Sequence, residues 1–347
     1  MKLPLLICLL ACCFPAHAQS NLSSISIVDS GRDCSIRGMS VAGNDVVWVS
    51  GSKGHVGRST DGGTSWTWSV VAGYEKTDFR DIHAFDSLRA VIMGVDNPAY
   101  ILKTGDGGRS WKLVFTKTAP GMFLDAMDFR NNGQGICIGD PMDAGHGRKS
   151  FFVIRSRDGG DTWQPEAPGR LPPTRDGEAI FSASGTNIAL LDGRDFDYAV
   201  ISGGLVSNLY LIGRKGKANA IHPLRIAAGN ESSGAFSLAT DRRRIFYCIG
   251  GDYKQPDARS GTFVWTTDQA KSWKTSVSAA PSGYRSCIRI IDGERMVACG
   301  TNGVDLCLEP AAWTHVSTES FNVCAVSPDK KRIFFGGGKG RIGMLRL

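Results

Sequence analysis

Short apolar runs, separated by glycine, aspartate and serine, follow one another along almost the whole chain. Residues 45–51 (DVVWVSG), 89–95 (RAVIMGV) and 245–251 (IFYCIGG) are examples, each rich in Val, Ile or aromatic residues and bounded by turn formers. Runs of this length with such flanks are typical of buried β-strands. Extended Ala, Glu, Lys and Leu stretches with helical spacing are absent. The pattern therefore predicts an all-β protein.

A repeated turn divides these strands into units. The pattern Ser/Thr-x-Asp-x-Gly-x-Ser/Thr-Trp occurs intact at residues 59–66 (STDGGTSW), 104–111 (TGDGGRSW) and 156–163 (SRDGGDTW), and in degraded form at 266–273 (TTDQAKSW). An aspartate followed by glycine suits a tight turn, because the carboxylate accepts backbone N–H groups while glycine takes positive φ. Tryptophan covers the turn with an apolar face. We assign a structural role to Asp61, Trp66, Asp106, Trp111, Asp158, Trp163, Asp268 and Trp273.

The spacing of this turn predicts a propeller. The Trp or its equivalent falls at positions 66, 111, 163, 220, 273 and 313, which are 40 to 57 residues apart. Four strands fill such a unit, as in a propeller blade. We expect one seven-bladed β-propeller with four-stranded blades at about 31–72, 77–117, 121–168, 176–224, 232–279, 283–318 and 320–347. Residues 24–30 (SISIVDS) supply the strand that the last blade lacks, and so close the ring.

The N-terminus changes the expected location rather than the fold. Lys2, the apolar stretch 3–14 and Ala16-His17-Ala18 fit a secretory signal peptide over residues 1–18. We expect cleavage near Ala18 and a periplasmic or extracellular protein. The less favoured alternative is a lipoprotein modified at Cys12. No other segment has the length and apolar character of a membrane span.

Composition adds few constraints. The chain has 347 residues, 42% of them hydrophobic, and a formal net charge of +7. Its basic clusters lack interleaved aromatic residues, so we expect no nucleic-acid partner. Seven cysteines follow the signal peptide, an odd number that leaves at least one thiol free. Cys137, Cys248 and Cys299 lie in matching apolar runs, and we expect them in the core. We expect a monomer without a cofactor or a metal.

The intact repeats resemble those of Asp-box (BNR) repeat propellers. Over the whole mature chain, the sequence resembles bacterial proteins related to the photosystem II stability/assembly factor. The matching stretches are residues 139–141 (GDP), 178–186 (EAIFSASGT), 232–238 (SSGAFSL), 250–253 (GGDY) and 283–286 (GYRS). The resemblance implies the propeller fold and transfers no catalytic residue.

The topology predicts where a ligand would bind. Connections that enter the inner strands share one face with the connections between second and third strands, whereas the Trp-terminated turns lie on the opposite face. We expect three long loops on the first face, at 140–150, 194–207 and 252–261. The candidate ligand-binding residues at this channel mouth are Arg37, Arg80, Asp125, Asp140, Glu178, Asp252, Tyr253 and Arg285. The competing interpretation is that these charged groups satisfy one another in a wet channel.

Two classes of function follow from this site. We favour a binding or assembly factor for a protein or peptide segment. The alternative is a carbohydrate-active hydrolase or lyase, in which three arginines clamp an anionic saccharide and Glu178, Asp140 or Asp252 supply catalytic carboxylates. The G-x-G-x-x-G at 338–343 is too close to the end of the chain for a dinucleotide-binding helix. Asp140, Asp143 and His146 could hold a cation, although solvated loop residues of this kind are more common.

Overall fold

The computed structural model of the chain describes residues 24–167, 169–275, 280–309 and 312–347. Within these ranges, thirty strands form seven antiparallel sheets arranged as the blades of one ring. The predicted all-β, seven-bladed propeller is confirmed. None of the described residues belongs to a helix that is long and apolar enough to cross a membrane. The predicted signal peptide lies outside the described residues.

Each blade runs from an inner strand at the channel to an outer strand at the rim. Blade one contains β2 (Ile36–Ala42), β3 (Val46–Gly51), β4 (His55–Ser59) and β5 (Thr67–Val70). Blade two contains β6 (Phe79–Ala84), β7 (Ala90–Gly94), β8 (Ala99–Thr104) and β9 (Lys112–Lys117). Blade three contains β10 (Leu124–Phe129), β11 (Gly135–Asp143), β12 (Lys149–Ser156) and β13 (Gln164–Pro165).

The remaining blades follow the same order. Blade four contains β15 (Ile188–Leu190), β16 (Phe196–Ile201), β18 (Asn208–Gly213) and β19 (Ala220–Pro223). Blade five contains β20 (Ser233–Thr240), β21 (Phe246–Asp252), β22 (Phe263–Thr266) and β23 (Lys274–Thr275), and β14 (Glu178–Ala179) and β17 (Gly203–Gly204) extend its inner edge. Blade six contains β24 (Cys287–Asp292), β25 (Arg295–Gly300), β26 (Gly303–Glu309) and β27 (Ala312–Ser317). Blade seven contains β28 (Val323–Val326), β29 (Arg332–Gly336), β30 (Ile342–Arg346) and β1 (Ser26–Asp29).

The N-terminal strand closes the ring as predicted. β1 pairs antiparallel with β30, so that Ser26 lies opposite Met344 and Ile27 opposite Gly343. The last blade therefore contains strands from both ends of the chain. This pairing gives β30 a neighbour on the side that would otherwise present unpaired N–H and C=O groups.

The core lies between neighbouring blades. Every residue of β7 is buried, and Trp48, Phe79 and Phe334 have no exposed surface. A second strand packs against blades on both of its faces, so its sequence is a continuous apolar run rather than an alternation. This explains why the second strands gave the clearest pattern in the sequence.

The repeated turn has the same hydrogen bonds in all four copies. In the first, one carboxylate oxygen of Asp61 accepts the backbone N–H groups of Thr64 and Ser65, at 3.0 and 2.9 Å, and the other accepts the Ser65 hydroxyl at 2.6 Å. Equivalent carboxylate bonds occur at Asp106, Asp158 and Asp268. In the degraded copy, Gln269 and Ala270 adopt φ of 64° and 65°, where the intact copies have glycine. The carboxylate bonds are thus retained without the glycines.

The structure differs from the sequence prediction in blade four. The apolar runs at residues 179–185 and 187–193 predict the first two strands of this blade, whereas residues 194–207 are predicted to form a long loop. Instead, the inner strand is β15, and β16 lies within the expected loop. Residues 198–201 are fully buried, and the surrounding Asp and Gly residues concealed this strand. Residues 180–183 instead line a cavity at the mouth of the channel, and Gly185 and Thr186 line a cavity at its other end.

The expected loop at residues 140–150 is also partly β-strand. β11 extends to Asp143 and β12 begins at Lys149, which leaves a short turn between them. The segment after Asp252 is a true connection, because β22 begins only at Phe263. Of the three expected loops, only this last one is free of strand over most of its length.

The carboxylate of the repeated turn should couple stability to pH. The Ser65 hydroxyl and backbone N–H, together with Ser59, lower the pKa of Asp61 from its ordinary value to about 2. The unfolded chain binds a proton at this site at higher pH than the folded protein does. Its contribution is therefore present above about pH 4 and is lost as the pH falls towards about 2. We predict that Asp61→Ala lowers the free energy of unfolding at pH 7 and weakens its decline in acid, as measured by urea denaturation. Asp96→Ala, at an exposed position, is the control, and an unchanged acid profile for Asp61→Ala would contradict the prediction.

Candidate functional site

A cavity opens at the end of the channel where the inner strands begin. It has a volume of about 450 Å³, and every blade contributes to its wall. We call it the mouth cavity and define it by Arg37, Arg80, Phe123, residues 180–183, Phe236, Tyr253, Tyr284, Ser286, Thr301 and Asn322. A second cavity of about 410 Å³ lies at the ends of the inner strands on the opposite face. The mouth cavity is thus on the face that the topology predicted.

Arg37 brings an unpaired charge to the mouth cavity. Its side chain lies in the wall, one residue into the inner strand of blade one. Among the residues that the structure describes, none forms a hydrogen bond or an ion pair with its guanidinium. Burial lowers its pKa, the nearby charge of Arg80 lowers it further, and Asp78 and Tyr284 act in the opposite direction. Its charged form would be stabilised by an anion from outside the protein.

Arg80 is the second cation of the cavity, and it is held in place. Its Nε donates to the Asp78 carboxylate at 2.7 Å, and its Nη1 donates to the Ser182 hydroxyl at 3.0 Å. The guanidinium also lies over the Phe123 ring, 6.0 Å from the centroid. Arg80 is thus paired with a carboxylate, that of Asp78, which lies outside the cavity wall. No acidic side chain is among the described residues of the cavity wall.

Aromatic rings form a second part of the mouth-cavity wall. Phe181 and Phe236 stack with centroids 4.0 Å apart and an interplanar angle of 5°. Tyr284 meets Phe236 edge-on at 4.8 Å, and Tyr253 does so at 6.2 Å. Tyr253 keeps 44% of its surface exposed, so the wall extends outwards from a buried base. Such a wall can bind an apolar or planar group, because the group stacks on the rings and buries its apolar surface against them.

Two facing glycines make room for this wall. A Cβ on Gly203 would lie 2.3 Å from Phe181 Cε2 and 2.8 Å from the Cα of Gly234. The close approach lets β17 pair with β20 and leaves space for the Phe181 ring beside them. The stacked pair therefore depends on the close approach of the β17 and β20 backbones.

Glu178 anchors the segment that leads into the cavity. One oxygen accepts Asn208 Nδ2 at 2.9 Å and the Ser202 hydroxyl, and the other accepts Tyr210 OH at 2.7 Å and Arg175 N at 2.9 Å. Four donors thus occupy a carboxylate that is almost completely buried. The residue is placed to position Ile180 and Phe181 rather than to contact a ligand in the mouth cavity.

Two further predicted acids lie beside the mouth cavity rather than in its wall. Asp140 and Glu178 line a separate cavity of about 260 Å³. Asp140 accepts Ile180 N at 3.1 Å, and burial raises its pKa. Asp125 is fully buried, and neither carboxylate oxygen has a hydrogen-bond partner among the described residues. Burial raises the pKa of Asp125 strongly and the charge of Asp140 raises it further, whereas the charge of Arg80 acts in the opposite direction.

The structure separates Arg285 from the other two arginines. Its side chain is fully buried in blade six, where Nε and Nη2 contact the Asp305 carboxylate at 2.6 and 2.5 Å and Nη1 donates to the Tyr284 carbonyl at 2.7 Å. The expected convergence of three arginines is therefore wrong, because an acid of the same blade pairs with the third. Asp252 likewise accepts the Ser232 hydroxyl and Lys254 N, at 2.7 and 2.9 Å, and orders its own loop.

The rings of Phe123, Phe181, Phe236 and Tyr284 were not among the residues predicted from the sequence. A usable signal was present, since Phe-Ser follows Ile180 at blade four and Ala235 at blade five. No group of three or more His, Cys, Asp or Glu side chains in the described part of the chain is arranged to hold a metal ion.

Known structures with a similar fold include two structures of the propeller YCF48. The structure of YCF48 bound to D1 peptide has a TM-score of 0.63 and 15% sequence identity, covering 94% of this chain and 96% of that chain. YCF48 from Cyanidioschyzon merolae has a TM-score of 0.60 and 14% identity, covering 93% and 99%. The Pan2 WD40 domain from Neurospora crassa has a TM-score of 0.57 and 13% identity, covering 90% and 88%. No protein-family model and no curated protein sequence matches the chain. These likenesses show the fold.

Filling the space between the facing glycines should disturb the aromatic wall. We predict that Gly203→Ala costs about 1–3 kcal/mol in the free energy of unfolding, because the added methyl group overlaps the Phe181 ring. Gly193→Ala is the control, since its Cβ would lie no closer than 3.8 Å to another atom. Chemical denaturation measures both variants. Equal stability of the two would contradict the described packing.

Replacing the anchoring carboxylate should also destabilise the protein. In Glu178→Gln, an NH₂ group replaces one of the two carboxylate oxygens. The donors that bound this oxygen then face another donor, and at least one of them is left without an acceptor. We predict a loss of about 1–3 kcal/mol in the free energy of unfolding. Asp176→Asn, an exposed change of the same type two residues away, should have little effect. A neutral Glu178→Gln would show that the four hydrogen bonds do not hold the segment.

Proposed function

We propose that the chain binds a protein or peptide segment in the mouth cavity, and that the bound segment presents an acidic group beside an apolar or aromatic side chain. The observation that carries this proposal is the unpaired guanidinium of Arg37 in the cavity wall. A cation without a partner in the protein favours an anionic ligand, because each charge-assisted hydrogen bond contributes more than a neutral one.

The shape of the wall supports a composite ligand. Arg37 and Arg80 bring two positive charges, and the rings of Phe181, Phe236 and Tyr253 bring an apolar surface. A carboxylate can bridge the guanidinium groups while a neighbouring side chain packs on the rings. Peptide segments offer both groups within one or two residues. The similar propeller YCF48 is described as bound to a D1 peptide, and its architecture supports a role of the same kind here.

An anionic saccharide is the less favoured ligand. A glycosidase needs one carboxylate that is free to act on substrate and a second at a suitable distance. Here both oxygens of Glu178 are occupied by donors from the protein, and the Asp252 carboxylate orders its own loop. We therefore propose binding rather than catalysis. We further propose that the protein acts in the periplasm or outside the cell, on the basis of the sequence at 1–18.

The role of Arg37 can be tested with matched peptide libraries. One library of short fluorescein-labelled peptides places Asp or Glu beside an aromatic residue, and the other replaces the acids by Asn or Gln. We predict that the protein prefers the acidic library in fluorescence polarisation. Arg37→Gln should weaken binding of the best acidic peptide roughly ten- to a hundredfold, the effect of losing one charged hydrogen-bonding group.

Arg243→Gln provides the control, since it removes the same charge from an exposed position beyond β20 on the opposite face. Its affinity for the acidic peptide should match that of the unmodified protein. An equal loss of affinity in Arg37→Gln and Arg243→Gln would show that the peptide responds only to the net charge of the protein. Binding of an acidic oligosaccharide but of neither peptide library would overturn the proposal in favour of a saccharide ligand.

A further inference from the structure

Three cysteines meet where blade six contacts blade seven. Cys287 begins β24, Cys299 lies opposite it in β25, and Cys324 lies in β28, the inner strand of the next blade. All three are fully buried, in the same core cluster as Val323 and Phe335. Cys287, Cys299 and Cys324 are free thiols.

The thiols of Cys287 and Cys324 are in contact between the two blades. Their Sγ atoms are 3.7 Å apart. Cys287 Sγ also lies 3.5 Å from the backbone nitrogen of Cys324 and 3.7 Å from its carbonyl oxygen, so one side chain rests directly on the other residue. β24 and β28 belong to different sheets and share no ladder of hydrogen bonds. A small side-chain rotation can therefore bring the sulfurs together without breaking a strand pair.

The surroundings favour Cys287 as the reacting thiol. Burial alone would raise its pKa, but the S–H groups of Cys299 and Cys324 and the charge of Arg289 together lower it well below its ordinary value. The pKa values of Cys299 and Cys324 are raised, with burial as the main cause. The thiolate is the nucleophile in disulfide exchange. One sulfur of this cluster is thus prepared to attack, and another is within contact distance.

We propose that Cys287 and Cys324 form a disulfide that joins blade six to blade seven when a small-molecule disulfide is present during folding. The Cys287 thiolate attacks the oxidant, one thiol leaves, and a mixed disulfide forms. The Cys324 thiol then loses its proton, attacks the Cys287 sulfur and displaces the second thiol. Two protein thiols are oxidised and one small-molecule disulfide is reduced to two thiols. The reaction takes place late in folding, when blades six and seven are in contact but before the finished core encloses both sulfurs.

Such a bond would reinforce the ring beside its closing blade. The two cysteines are 37 positions apart in sequence, so the bond closes a loop that includes most of blade six. A cross-link of this kind restricts the unfolded chain. It would act independently of β1, which closes the same blade at its outer edge by hydrogen bonds alone.

The competing pairing is Cys287 with Cys299. These residues face each other across β24 and β25, within one sheet. A bond between them would tie strands that are already hydrogen-bonded, and it would leave the contact between the blades unlinked. The two pairings can be distinguished by peptide mapping.

The experiment uses the full chain, reduced, unfolded and then refolded in a mixture of oxidised and reduced glutathione. Free thiols are alkylated, and the protein is cleaved with trypsin and a glutamate-specific protease. Cleavage after Arg285, Arg289, Glu319 and Lys330 places Cys287 in residues 286–289 and Cys324 in 320–330, with no other cysteine in either peptide. Mass spectrometry should detect these two peptides joined. Their alkylated, unlinked forms alone, or residues 286–289 joined to a peptide with Cys299, would overturn the proposal.

Thermal denaturation gives a second measurement. The melting temperature of protein refolded with oxidant should exceed that of reduced protein by on the order of 5 °C. Cys324→Ser should abolish this difference. Cys248→Ser, which removes a fully buried thiol of blade five, should retain it. A redox difference that persists in Cys324→Ser would also contradict the proposal. Should the Cys324→Ser variant fail to fold, the peptide map of the unmodified protein still decides.

Discussion

The pairing of β1 with β30 is the constraint on which the rest of the molecule depends. A propeller sheet becomes a ring only when its last blade joins its first, and here both ends of the chain supply that blade. The consequence appears directly at the mouth cavity. Asn322 of blade seven donates through Nδ2 to the carbonyl of Ile36 in blade one at 2.9 Å. Arg37 follows immediately, so the orientation of the unpaired cation depends on contact across the seam.

Local physical chemistry made most of the fold predictable. Each repeated turn needs only a carboxylate, two nearby N–H groups and residues that tolerate positive φ, and all of these lie within eight consecutive positions. Second strands are visible because burial on both faces demands an unbroken apolar run. The prediction was wrong in blade four. Asp and Gly residues flank the buried residues 198–201 and indicate a loop, whereas residues 179–185 have the apolar pattern of a strand. That segment is buried by contacts at the mouth rather than by a ladder, and sequence alone gives no way to distinguish the two.

The sequence predicted the position of the candidate site but only some of the side chains that line it. Topology brings the starts of the inner strands together, and this placed Arg37 and Arg80 correctly on the mouth cavity. It does not fix the direction of a side chain. Arg285 occupies a comparable position but turns into its own blade, where Asp305 accepts it. The aromatic wall was missed for a related reason. A phenylalanine that stacks at the edge of a channel and one that fills a core look the same in a sequence, and only the close approach of Gly203 and Gly234 decides between them.

The distribution of satisfied and unsatisfied charges is the strongest argument about function. Burying a charged group without a partner is costly, so proteins usually supply one. Arg285 has a carboxylate and two oxygen acceptors, Glu178 has four donors, and Asp252 has three. Asp125 lacks hydrogen-bond partners among the described residues, but burial raises its pKa well above the ordinary value, which favours the protonated form over an unpaired charge. Arg37 is too basic to be neutralised in the same way. Its partner must come from solvent or from a bound molecule, and the aromatic rings in the same cavity wall favour a molecule over an ion.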